Sequence, residues 1–356
     1  MEGRTGEGPL DDIAIEKRGR AGLITLDRPH ALNAVTAPML HAIDRALEEW
    51  EQDAGVERVV IRAAGGRAFS AGGDIRDLYE RCVSGRYDVA FFRHEYTLNL
   101  RIARYAKPYI ALIDGIAMGG GVGVSFHGSH RVAGGGLAFA MPEVGIGFFP
   151  DVGGSYLLSR LPGAVGLYLG LTGERVRRAD ALALGLATHA CPSAGMAALL
   201  DDLCETRDIA AALDRHMERD VGEGGPILAA RDAIDATFDA PDLVTVMRRL
   251  EKREDDWSAR ALATLRDKAP LSLHVAFEQI RRAAALSLEE CMVMEFRILT
   301  RMLRAPDFIE GVRAAIIDKD GSPRWCHRDV RDVEPSEIAA HFEPAIDGDL
   351  LDGGRT

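Results

Sequence analysis

Twice in the first 125 residues a short apolar run ends in a cluster of glycines. Val59-Val60-Ile61-Arg62 leads to Ser70-Ala71-Gly72-Gly73-Asp74, and Tyr109-Ile110-Ala111-Leu112-Ile113 leads to Ala117-Met118-Gly119-Gly120-Gly121. Short β-branched runs bounded by glycine read as buried strands, and the segments after both clusters can begin helices. A chain with two such junctions is constrained toward an α/β core in which strand ends, glycine loops and helix starts lie together. Backbone N–H groups at a helix start have no intrahelical partner, so each loop can offer a donor to an anionic oxygen. Two donors converging on one point would make an oxyanion hole. Either cluster alone reads equally well as a tight turn that uses glycine for positive φ. The pairing is what points to a site, in a chain where 38 of 356 residues are glycine.

The rest of the first half fits the same class. Ile13–Glu16 and Gly22–Asp27 flank Arg18-Gly19-Arg20 as a hairpin. Residues 36–53 are helical, with Pro38 in the first turn and Leu40, Ile43, Leu47 and Trp50 on one face. Arg131–Ala133, Leu137–Ala140 and Thr188–Ala190 are further short strands. From about Cys204 the composition shifts to Ala, Leu, Arg, Asp and Glu with helical periodicity, as in 262–267, 273–286 and 289–303. Two regions are therefore expected, 13–203 as an α/β core and 204–345 as a mostly helical region.

Composition removes several function classes. The chain has 43 Lys+Arg against 55 Asp+Glu, a net charge of -12 at pH 7, whereas nucleic acid and anionic membranes both reward a basic surface. Neither partner is expected. The run Tyr109–Phe126 approaches membrane-spanning length, but Asp114 and its glycines make it a buried strand plus a tight loop. Five scattered cysteines, Cys82, Cys191, Cys204, Cys291 and Cys326, with no C-x-x-C pair, indicate neither a disulfide framework nor a zinc site. A reducing, cytoplasmic setting is expected. Residues 1–12 show no signal or transit pattern and, with 346–356, read as disordered tails.

No G-x-S-x-G, H-E-x-x-H, G-x-x-x-x-G-K or G-x-G-x-x-G occurs. His94-Glu95 starts like a zincin signature, but Leu98 stands where a second histidine is needed, so His94 reads as structural and no metal is expected. What remains is glycine and carboxylate. The segment Met141-Pro142-Glu143 to Asp151-Val152-Gly153-Gly154 sets Glu143 and Asp151 in apolar, Gly/Pro-shaped surroundings. An apolar setting raises carboxylate pKa values and suits acid/base work near neutrality if the groups face a cleft. The competing reading is that each caps a turn or helix, with Asp151 as an N-cap before Val152.

The stretches 26–34 (Leu-Asp-Arg-Pro-His-Ala-Leu-Asn-Ala) and 68–75 (Ala-Phe-Ser-Ala-Gly-Gly-Asp-Ile), the Gly119–Gly121 run and Pro142-Glu143 together resemble the crotonase (enoyl-CoA hydratase/isomerase) superfamily over about Ile13 to His189. The resemblance implies a crotonase-like spiral of ββα units followed by a helical C-terminal region. It also implies an oxyanion hole for a CoA thioester carbonyl, with Gly73 and Gly120 as N–H donors. Hydratases of this superfamily use two glutamates. The second is matched by Glu143, but the first position carries Gly123. In that departure the chain is similar to the 3-hydroxyisobutyryl-CoA hydrolase branch, which shares Gly119–Gly123, Phe139–Glu143, Gly147–Gly154, Phe91–Tyr96 and Phe308–Ala314.

The resemblance therefore implies an acyl-CoA thioesterase whose substrate brings its own CoA, with no separate cofactor. Glu143 would act as general base on water or as nucleophile through a mixed anhydride, and both routes stay open. Asp151 would hold the substrate hydroxyl or manage protons, and Glu95 would line the acyl pocket. Backbone around Ala71 would hold adenine, and Arg28 would help with the CoA phosphates, where His30 replaces a lysine common in relatives. Two other readings are a hydratase or isomerase with Glu143 as single base, and a non-catalytic CoA-ester-binding protein. Superfamily members commonly form trimers or pairs of trimers, but a longer helical end can cover the same surface within one chain, so homo-oligomerisation is left open.

Overall fold

Alternate side chains of a strand point to opposite faces, and here both faces of the central strands are covered. The computed structural model describes residues 12–87, 89–222, 224–346 and 348–351. Ile13–Arg18 (β1) and Ala21–Leu26 (β2) form the expected antiparallel hairpin, and Ala37–Gln52 (α1) follows with Leu40, Ile43, Leu47 and Trp50 buried. The next strands come in pairs of one longer and one three-residue member. They are Arg58–Ala63 (β3) with Ala68–Ser70 (β4), Tyr109–Ile113 (β5) with Ile116–Met118 (β6), and His130–Ala133 (β7) with Ala138–Ala140 (β8). Val176–Arg177 (β9) and His189–Ala190 (β10) complete the set.

The longer members form a six-stranded sheet of order β1-β2-β3-β5-β7-β10, parallel from β2 onward. The short ones form a second sheet, β4-β6-β8-β9, in which only β9 is antiparallel. Each pair ends in helix: Ile75–Val83 (α2) and Val89–Ala103 (α3), then Gly120–Gly123 (α4), then the 3-10 turn Glu143–Ile146 and Gly154–Ser159 (α5). The chain thus winds through three turns of one ββα unit. β4 and β6 carry no strand signal of their own, because three residues hold a strand only by pairing with each other across the sequence.

Parallel strands buried on both faces read as continuous apolar runs. Ile24, Ile61, Ala111 and Ile113 face the main core, while Leu23, Val60, Ile110 and Leu112 face a smaller cluster closed by Leu199, Leu200 and Leu203 of the helix Met196–Glu205. After β10 every named element is helical. The helix Leu288–Met302 starts at a capping box, in which the Ser287 hydroxyl accepts the Glu290 N–H and the Glu290 carboxylate accepts the Ser287 N–H. This helix and its neighbours Pro270–Ala283 and Pro306–Val312 supply Phe277, Ile280, Phe296, Leu299 and Phe308 to the main core. No helix among the described residues is long and apolar enough to cross a membrane.

Of the tails expected to lack order, residues 1–11 and 352–356 lie outside the described residues. Gly348–Leu350 corrects the expectation. Arg93 donates to the Gly348, Asp349 and Leu350 carbonyls, Arg297 pairs with the Asp349 carboxylate, and Leu350 is buried.

Candidate active site

The two glycine clusters meet. A Cβ added to Gly120 would lie 2.8 Å from Glu95 Oε1 and 3.5 Å from the Gly73 nitrogen, whereas one added to Gly73 would meet nothing within 4 Å. The four glycines divide the work. Gly72 and Gly119 take φ of +116° and +46°, a conformation that other residues rarely adopt. Gly73 and Gly120 have no such φ; what they need is room in front of the backbone. Neither donates its N–H to an acceptor among the described residues. Gly120 is buried, where an N–H is nearly always paired, and it lines the same space as Gly73.

That space is a cavity of ≈ 690 Å³, within the range of small-molecule sites. Ala71, Gly73, Gly120, Glu95, Glu143 and Asp151 all line it. Glu143 stands first in its 3-10 turn and is 8 % exposed; its Oε2 has no hydrogen-bond partner among the described residues. Asp151 caps no helix, since Gly153 is the cap of α5. Its Oδ2 accepts a hydrogen bond from the Tyr96 hydroxyl at 3.1 Å. Glu95 is 3 % exposed, with Oε1 unpartnered.

Three buried carboxyls lining one cavity repel one another and resist ionisation. Burial pushes Asp151 up to about 7, against the opposing pull of the Tyr96 hydroxyl. Burial first, then the Asp151 charge, holds Glu143 and Glu95 well above the usual carboxylate range. A carboxyl that must ionise to act as base or nucleophile then works only above its raised pKa. Turnover should therefore climb with pH through a midpoint well above 4.5, where a free glutamate titrates. A kcat/KM profile from pH 5 to 9 tests this, and a plateau reached by pH 5.5 would contradict it.

A side chain at Gly123 would require Asn99 to shift. A Cβ there would come within 2.7 Å of Asn99 Oδ1 and 2.9 Å of Nδ2, and Asn99 is fully buried one turn beyond Glu95 on α3. The position that would hold a second glutamate is thus filled by its neighbour.

Arg28 is not brought into the cavity. Its guanidinium pairs with Asp74 at 2.9 Å and Asp12 at 3.5 Å. The cations that sequence reasoning missed are Arg81, which pairs with Asp77 at 2.8 Å, and Lys268. Lys268 lines the cavity beside Gly145, with Nζ 3.4 Å from where a Gly145 Cβ would sit, and burial lowers its pKa. Nothing around Asp267-Lys268-Ala269 marks it in the sequence. His94 is structural, reaching Asp44 at 3.3 Å, and no cluster able to hold a metal is found among the described residues.

The helical half closes the site. Gly147 and Gly311 let the Glu143 turn seat directly on the backbone of the helix Pro306–Val312, whose Phe308 lines the cavity. Glu295, fully buried, accepts from the Gly153 N–H at 2.7 Å. A legible signal existed for it, a carboxylate on the apolar stripe Cys291, Ile298, Met302.

A family model for Enoyl-CoA hydratase/isomerase matches residues 21–342. The chain belongs to the enoyl-CoA hydratase/isomerase family. It is 42% identical over 345 residues to a Danio rerio protein named 3-hydroxyisobutyryl-CoA hydrolase, mitochondrial, covering 94% of this chain and 88% of that one. The Homo sapiens protein of the same name is 39% identical over 350 residues, covering 96% and 90%. Among solved structures, a carnitinyl-CoA dehydratase from Mycobacterium thermoresistibile superposes with TM-score 0.91 at 36% identity, over 97% of this chain and all of that one. An enoyl-CoA hydratase from Rhodobacter sphaeroides gives 0.89 at 42%, over 95% and 99%. The expected crotonase-like α/β spiral with its helical continuation is the fold of this family member.

Proposed function

We propose that this enzyme hydrolyses the thioester of 3-hydroxyisobutyryl-CoA to 3-hydroxyisobutyrate and free CoA. The observation that carries the reading is that buried Glu143 lines the same cavity as the unpaired Gly73 and Gly120 N–H groups, while a side chain at Gly123 would press on Asn99. The hydrolase names of the curated relatives support it over hydration. The hydratase and dehydratase names of the two structural neighbours belong to the same CoA-ester chemistry.

In the proposed reaction the thioester carbonyl accepts from Gly73 and Gly120. These N–H groups are fixed before charge appears on the oxygen, and removing one such donor typically costs about 10²–10³ in rate. Glu143 either takes a proton from the attacking water or attacks the carbonyl carbon itself. The C–S bond breaks and the sulfur leaves with a proton as CoA thiol; on the general-base route the water oxygen ends in the carboxylate product, whereas on the anhydride route water attacks the Glu143 carbonyl carbon, its oxygen stays on Glu143 and a Glu143 oxygen leaves in the product. A single turnover in heavy-oxygen water separates the routes, because label enters Glu143 only through an anhydride. Asp151 holds the substrate hydroxyl or relays the proton, and Glu95 bounds the acyl end. CoA enters as part of the substrate, with no separate cofactor in this reading. A cytoplasmic, reducing setting belongs to the same proposal; it rests on five free cysteines, four of them buried, while the vertebrate relatives carry "mitochondrial" in their names.

The deciding assay offers 3-hydroxyisobutyryl-CoA and crotonyl-CoA in parallel, following free thiol and enoyl absorbance. Thiol release from the first alone is the expected result. Loss of enoyl absorbance alone would make the enzyme a hydratase, and binding with neither signal would make it a scaffold.

Lys268 supplies local charge against the polyanionic CoA in an otherwise acidic protein. Lys268→Met should raise KM for CoA esters about three- to tenfold with kcat nearly unchanged, an effect that weakens as salt is added. Steady-state kinetics at two ionic strengths measure it.

A further inference from the structure

Val152 takes φ +50° and Gly153 φ +80°. A β-branched residue rarely holds a left-handed backbone, and such strain persists only where the surroundings over-determine it. Four elements do so here. Gln279, on the helix Pro270–Ala283, donates to the Pro150 carbonyl at 2.7 Å. His127 donates from Nε2 to the Val152 carbonyl at 2.7 Å, and burial lowers its pKa to about 4, which keeps the ring neutral. Tyr96 on α3 holds the Asp151 carboxyl itself. Glu295, on the helix Leu288–Met302, does most. Its carboxylate accepts from the Gly153 N–H at 2.7 Å, the Ser155 N–H at 3.0 Å and the Ser155 hydroxyl at 2.5 Å. At a fully buried position on an apolar stripe a leucine would pack without the cost of desolvating a charge, so the carboxylate calls for a reason beyond packing.

We propose that Glu295 is a positioning residue for Asp151, pinning the strained turn 151–155 through three donors so that the Asp151 carboxyl stays aimed into the cavity. The inference rests on the reading that Asp151 takes part in turnover. The groups that face or neighbour Glu295 are Asp151 and Glu143 on the cavity loops, Tyr96 on α3, His127, and Cys291 on its own helix. Burial raises the Glu295 pKa to about 8 against the pull of its three donors, and where it is ionised its charge raises the pKa of Glu143. Neutralising it should therefore move the acid limb of the rate profile to lower pH, besides loosening the turn.

The test is Glu295→Gln in the full-length protein. The glutamine amide turns N–H toward at least one of the donors it must accept from. kcat for 3-hydroxyisobutyryl-CoA should fall about 10- to 100-fold, with KM within about twofold and the acid limb displaced downward. Backbone hydrogen exchange at 152–155 should quicken at least about tenfold while that of β2 stays unchanged. Ser155→Ala, which keeps both backbone donors, should stay within about threefold of the parent enzyme. The proposal is overturned if Glu295→Gln keeps the parental kcat and pH profile, or if exchange quickens throughout the chain, β2 included, which would mark a general structural role. Should the parent protein hydrolyse no CoA ester, the proposed function fails, while the exchange at 152–155 still reports whether Glu295 pins the turn.

Discussion

Glu143→Gln should lower kcat for thioester hydrolysis by roughly 10³–10⁴-fold while leaving the Kd for the CoA ester within about threefold. Glutamine keeps the shape of the side chain but can neither take a proton nor attack, and general-base or nucleophilic assistance is worth effects of about that size. Binding survives because the Gly73 and Gly120 donors are backbone groups that the substitution leaves in place. Rapid-mix thiol release and calorimetric titration measure the two quantities, and retained turnover would remove Glu143 from its role. The same change has a second signature. Burial raises the pKa of Glu143 in the folded chain above its unfolded value, so the native state holds that proton more tightly. The stabilisation this gives is complete below the unfolded pKa and is lost as pH rises through the folded one. The glutamine variant has no such loss. Its melting temperature relative to the parent should rise between pH 5 and pH 9, the expected mark of a residue kept for chemistry at the expense of stability.

Gly123→Glu should fail to create a hydratase. The new Cβ would press on Asn99 Oδ1 and Nδ2 at 2.7 and 2.9 Å, in a place where both residues are buried. Overpacking of a closed core costs about 1–3 kcal/mol, and a carboxylate forced in without partners adds desolvation of at least similar size. A loss on the order of 3–5 kcal/mol is expected, with thiol release down more than about 100-fold and no loss of enoyl absorbance from crotonyl-CoA. Thermal melts and the paired assay read both. A variant with parental melting that hydrates crotonyl-CoA would mean that residue identity at 123, rather than the packing of α3 against α4, separates the two chemistries.

Local signals carried much of the fold. The hairpin, α1, β3 and β5 were legible because strand alternation and helical periodicity are written over five or more neighbouring residues, and burial follows them. β4 and β6 were not, since a three-residue strand exists only through a partner some 48 positions away. Among site residues, the glycines and Glu143 stood out through spacing, whereas Lys268 and Tyr96 are ordinary in their surroundings. Arg28 pairs with Asp74 and Asp12, and the pairing with Asp74, 46 positions away, is one the sequence cannot show.

By itself the sequence determined the alternation of strands and helices, the two places where backbone N–H groups can be left unpaired, and the absence of a second hydratase glutamate. These are properties of residue type and short-range order. The tertiary structure decided that Gly73 and Gly120 front the same cavity, that Asn99 rather than solvent fills the space before Gly123, and that a helix from the far end of the chain holds the turn bearing Asp151. Those facts depend on distances between residues far apart in sequence. Such distances are set by the joint packing of both halves into one core, in which no short segment specifies its own neighbours.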